Sequence, residues 1–154
     1  MRLASEVSVR RVAKDGDEPP VCEVILNGAD TGKRVAGAVL EAAVEHAGNY
    51  LLFLTDDVPF EDMLSIHLVD ATGQLLDTAR LGAMYSTGTF SALTLRDPDI
   101  ASFRFIGDTE WTVEVFPEAR LQLPFVRDAR GVTRPLGLRR WFRVHGDPRP
   151  ARRH

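Results

Sequence analysis

Short runs in which apolar and polar residues alternate, each closed by a cluster of turn formers, recur along this chain from one end to the other. Successive side chains on a strand point to opposite faces, so such runs put one face against a core and the other in water. Glu6–Val12 sets Val7 and Val9 against polar neighbours, and Met63–Asp70 sets Leu64, Ile66 and Leu68 against Ser65, His67 and Val69. Val21–Asn27, Leu75–Leu81, Gly88–Leu95, Ala101–Gly107, Glu110–Phe116 and Leu138–Val144 read in the same way. Arg120–Val126 carries Pro124, which suits an edge or irregular strand. Asn49–Thr55, "NYLLFLT", departs from alternation because nearly every residue is apolar. That pattern predicts a central strand covered on both faces. Asp15–Pro20, Ala71–Gln74, Arg96–Asp99 and Gly107–Thr109 supply the turns.

About ten short strands at regular spacing predict an all-β fold, an antiparallel β-sandwich or a partly closed barrel. The 154 residues suffice for one domain with a real core. Residues 1–145 read as a single antiparallel β domain, with 127–137 the nearest candidate for a hinge before the last strand. Residues 146–154, rich in Pro and Arg, read as a basic, disordered tail. One segment reads two ways. As a helix, 34–47 puts Ala36, Leu40, Ala43 and Ala47 on one face, and the fold becomes α+β. As a strand, it turns Leu40, Ala42, Val44 and His46 inward and Glu41, Ala43 and Glu45 outward. The strand is the preferred reading, because every neighbour is a strand and local hairpins are the simplest connection.

Composition narrows the setting. No apolar run approaches the roughly 20 residues of a membrane helix, and the N-terminus lacks the apolar core of a secretory signal. Cys22 is the only cysteine, which excludes an intrachain disulfide framework and suits a reducing, bacterial-type cytoplasm. Net charge is −3 but unevenly spread: residues 1–126 hold 10 basic and 20 acidic side chains, whereas 127–154 hold nine Arg and two Asp. Such a basic end pairs with an acidic surface, either a partner's or the chain's own. The acidic body opposes nucleic acid as that partner.

Three motifs bear on function. Val24–Gly48 has the outline of a phosphate loop, a strand followed by Gly28-Ala-Asp-Thr-Gly32-Lys33. The spacing is one residue short, Arg34 stands where a hydroxyl is needed, and Asp30 would repel phosphate. The stretch therefore reads as a loop joining two strands. Thr55–Asp62 carries Asp56, Asp57, Glu61 and Asp62 around Pro59 and Phe60, without the spacing of an EF-hand. In Leu138–His145, alternation puts Arg139, Trp141, Arg143 and His145 on one face and Leu138, Arg140, Phe142 and Val144 on the other. Trp and Arg are the commonest anchors of protein interfaces.

No nucleophile elbow, zinc-protease helix or paired-cysteine motif occurs, and the four histidines lack metal-ligand spacing. No catalytic, cofactor or metal residue is assigned. The candidate protein-binding residues are Asp56, Asp57, Phe60, Glu61, Asp62, Arg139, Trp141 and Arg143. They imply a non-enzymatic protein of the immunity or adaptor type, with a protein partner and neither nucleic acid nor membrane. Two alternatives stand beside it: a small-molecule-binding β-barrel, and an enzyme using dispersed residues among Asp56, Asp57, Glu61, Asp62 and His67.

Overall fold

Two tight turns set the local pattern. Asn27 and Gly28 have φ of 52° and 77°, and Ala47 and Gly48 have 50° and 83°. Positive φ at both central residues is the signature of the hairpin turn whose twist matches its flanking strands. The first turn joins strands on either side of Gly28, and the second converts the Ala-rich segment into a hairpin with Asn49–Thr55. The computed structural model describes residues 1–13, 16, 18–58, 63–82, 88–106, 109–121, 131–135, 137 and 139–146.

In chain order the strands are β1 (Arg2–Leu3), β2 (Val7–Arg11), β3 (Val21–Leu26), β4 (Ala29–Ala36), β5 (Val39–His46), β6 (Asn49–Thr55) and β7 (Leu64–Val69). They continue with β8 (Leu75–Leu81), β9 (Ser91–Arg96), β10 (Ile100–Arg104), β11 (Glu110–Leu121), β12 (Val132–Thr133) and β13 (Arg139–His145). All pairings are antiparallel. Among the described residues there is no helix, and so none long and apolar enough to cross a membrane.

The strands form a six-stranded sheet ordered β1-β5-β6-β7-β8-β12, a four-stranded sheet ordered β13-β11-β10-β9 and a three-stranded sheet ordered β2-β3-β4. The six-stranded sheet lies between the other two. Leu51 and Phe53 of β6 point into one core with Phe103, Trp111, Val113 and Phe142 of the four-stranded sheet. Leu52 and Leu54 of the same strand point into a second core with Cys22, Val24 and Val35 of the three-stranded sheet. All four β6 side chains are fully buried. Each contributes about 1.5–3 kcal/mol by leaving water. The all-apolar β6 is thus a central strand covered on both faces. In the first core Phe53, Phe90 and Phe103 form a ring cluster with centroids 5.2–5.3 Å apart.

The all-β expectation holds, and segment 34–47 is no helix: it holds the end of β4 and all of β5, parted at Gly37–Ala38, so the single-helix alternative falls and the single strand read there becomes two. The barrel alternative falls as well: the six-stranded sheet ends at β1 and β12, which do not pair with each other, and both cores are filled. Three details differ from the sequence reading. First, β5 does not keep one inward face: a register shift between Leu40 and Ala42 sends Leu40 to the second core and Ala42 to the first. Second, the expected Gly-rich loop is mostly strand. Asp30, Thr31 and Gly32 lie inside β4, where the Asp30 carboxylate accepts the Gly32 amide at 2.8 Å. Strand β11 also runs on through Pro117 to Leu121, taking in residues read as the start of a separate strand.

Candidate functional site

Strand β13 carries three of the candidate residues. Phe142 and Val144 enter the first core, while Arg139, Arg143 and His145 are exposed and Trp141 is half-buried against the core's edge. Its partner β11 shifts register between Val115 and Arg120, opposite Trp141. A shift of this kind leaves ladder groups without a cross-strand partner. Two of β13's backbone groups are instead taken by side chains. The Trp141 amide donates to the Asp77 carboxylate at 2.8 Å, and the Phe142 carbonyl accepts from Arg134 at 2.9 Å.

Asp77 and Arg134 form a buried ion pair, with side chains 3% and 5% exposed. Arg140 approaches the same carboxylate at 3.7 Å, and the Thr78 amide donates to it at 2.8 Å. Arg134 also donates to the Thr78 carbonyl at 3.1 Å and lies over the Phe142 ring, 4.4 Å from its centroid. Carboxylate and guanidinium together fasten β13 to β8, joining the four-stranded sheet to the six-stranded one. A buried charge pair is sustained only when its remaining donors and acceptors are met, and these carbonyls and amides meet them. The basic end therefore does pair with the chain's own body at Arg134 and Arg140.

The acidic stretch is engaged differently. Asp56 pairs with Arg80 of β8 at 2.7 Å, and Asp57 lies 3.9 Å from Arg11 of β2. Phe60, Glu61 and Asp62 lie outside the described residues, as does most of the 146–154 tail. The two candidate clusters are tied to different strands, β13 through Asp77 and the acidic pair through Arg80 and Arg11. Lys33 sits on an exposed stretch of β4.

A third feature was not legible in the sequence. The three-stranded sheet covers β5, β6 and part of β7, then stops. Beyond it a groove of about 400 Å³ opens between Arg34–Ala36 of β4 and Thr133–Pro135 at the end of β12. His67 and Thr78, direct partners across β7 and β8, lie at its floor. His67 Nε2 lies 2.8 Å from the Ala36 carbonyl, and its Nδ1 lies 2.7 Å from the Thr78 hydroxyl. A carbonyl only accepts, so Nε2 carries the proton and Nδ1 takes the Thr78 hydroxyl's. Burial pushes the His67 pKa down to about 4; the Ala36 bond opposes that shift and the Arg80 charge adds to it. The ring is neutral at physiological pH.

Of the dispersed-enzyme candidates among the described residues (Asp56, Asp57 and His67), His67 lines the groove, and Asp56 reaches it through Arg80. The residues that sequence reasoning missed are Asp77, Thr78, Arg80, Arg134 and Arg34. One signal was present: Asp77 occupies an inward position of β8, in register with Ala79 and Leu81. A carboxylate on an apolar face announces a buried partner.

Fold and site together define an antiparallel β-sandwich of three sheets whose central sheet is fully covered on one face and partly on the other. Comparison with known proteins adds no family to that description: no family model, no curated protein and no solved structure matches the chain.

Proposed function

We propose that this chain is a non-enzymatic binding protein of the immunity or adaptor type, engaging a protein partner in a bacterial-type cytoplasm through the outer face of β13. The supporting observation is the fixing of that strand. Arg139, Trp141 and Arg143 are residue types that dominate interface energetics. Here their backbone is held from one side by Phe142 and Val144 in the core and from the other by Asp77 and Arg134. A surface fixed before association loses less conformational entropy on binding. Arg143 faces Glu114 across the strand pair, and His145 lies 3.6 Å from the same carboxylate. The acidic side chain orients the strip without burying it.

The test is capture of a stoichiometric partner from lysate of the source organism by the intact chain, repeated with Arg139→Glu and Arg143→Glu. Both positions are exposed, so the variants fold; Arg139→Glu keeps the wild-type Tm, and Arg143→Glu, which meets Glu114 across the strand pair, lowers it slightly. The reading expects the same partner to be lost with both substitutions. Equal retention by the variants, or no stoichiometric partner for the wild type, overturns it.

A further inference from the structure

We propose that the groove over His67 and Thr78 binds a small amphipathic carboxylate, its hydrocarbon body along Ala36, Leu75 and Pro135 and its head at Arg34 and Arg80. A volume of about 400 Å³ falls within the range of small-molecule sites. Leu75 stands 44% exposed at the groove. An occupant with an apolar body would take that surface out of water.

The charge at the rim selects the head group. Three arginines line the groove from three separate stretches of chain, and their guanidiniums differ in how far they are committed. Arg134 is buried with Asp77 and bonded to two carbonyls. Arg80 holds Asp56 at 2.7 Å with its side chain 35% exposed. Arg34 is the least neutralised: its side chain is 60% exposed, and Glu23 lies 3.6 Å away while already serving Arg10. A carboxylate matches the planar fork of such an arginine.

The floor sets the orientation. The Thr78 hydroxyl gives its proton to His67, and the His67 N–H is directed to the Ala36 carbonyl. Both donors are spent, so the floor offers the occupant only acceptor capacity. An anionic head is turned away from it toward the arginines, and the hydrocarbon lies across the groove.

The experiment is isothermal titration of the full chain with octanoate, 1-octanol and acetate, on wild type, Arg34→Gln, Leu75→Glu and Thr133→Trp. Leu75→Glu places a like charge in the groove, and Thr133→Trp fills it from the opposite wall at an exposed position, so one serves if the other lowers Tm. Octanoate is expected to saturate a single site. Octanol and acetate should bind at least about tenfold more weakly, Arg34→Gln should weaken octanoate about tenfold, and the two groove variants should abolish its binding. Absence of saturable octanoate binding, equal affinity for octanol, or indifference to all three substitutions overturns the assignment. None of the β13 candidates lines the groove, so failure here leaves the partner reading standing.

Discussion

The two faces of the six-stranded sheet share the same strands and meet opposite fates. On the face toward the four-stranded sheet, Val44, Leu51, Phe53, Leu64, Ile66, Leu68, Ala79 and Leu81 make an unbroken apolar layer from β5 to β8. The buried carboxylate on that side, Asp77, sits beside β13 and is met by Arg134. On the other face Ala43, Leu52, Leu54 and Val69 are covered by a sheet of only three strands. Past its edge the central sheet presents His67, Thr78 and Arg80 and a groove in place of a core. Strand propensity is the same on both sides. What differs is the width of the covering layer, and side-chain polarity follows it because an uncovered apolar strip would remain in water.

The largest effect expected is on the aromatic layer. Phe53→Ala should destabilise by about 4 kcal/mol in urea unfolding, through lost transfer energy and the cavity left among Phe90 and Phe103. Its neighbour Leu52→Ala, pointing to the other core, should lose about 3 kcal/mol. A Phe53→Ala loss below about 1 kcal/mol would break the contrast, because the layer could then collapse around the gap.

Asp77→Ala should lose about 3 kcal/mol, the low end for a broken buried pair, since Arg134 keeps the Thr78 and Phe142 carbonyls. Replacing Asp77 and Arg134 together by Leu and Met should recover part of that loss. A double variant worse than the single one would show that the backbone bonds to β13, not the stranded charge, carry the effect.

His67 tests the half-covered face by pH. Its pKa falls from 6.5 to about 4 on folding, so the unfolded chain binds the extra proton between those values. Stability is therefore complete above pH 6.5, declines as pH falls toward 4 and levels off below it. Between pH 7.5 and 5 the loss amounts to about 2 kcal/mol. The measurement is the difference in unfolding free energy between wild type and His67→Gln across that range. Parallel curves for the two proteins would place the ring in contact with solvent. The smallest effect is expected at the groove's rim, where Arg34→Gln should change stability by under about 0.5 kcal/mol, as for an exposed ion pair.

Much of this contrast was written in alternation, and part of it could not be. Leu64, Ile66 and Leu68 announced one buried face of β7, and "NYLLFLT" announced a strand with two. On β13, Phe142 and Val144 were legible as the inward set. The identity of the covering layers was not. Trp141 meets Asp77 across 64 residues, and His67 meets Ala36 across 31. A two-residue period says which side chains share a face and nothing about what that face will touch. Asp56 and Asp57 were visible as charges, but their pairing with Arg80 and Arg11 depends on which strands lie beside them.

Sequence alone determined that this chain is all-β, that its strands join through short turns such as Ala71–Gln74, and that β6 lies at the centre of a sheet. These are local consequences of side-chain alternation and of backbone angles that few residues adopt. Only the tertiary structure decided that three sheets stack, that the narrow one leaves β8 half open, and that Asp77 and Arg134 lock β13 in place. Those outcomes depend on the widths of packed layers and on charges brought together from distant positions, and a one-dimensional pattern carries neither.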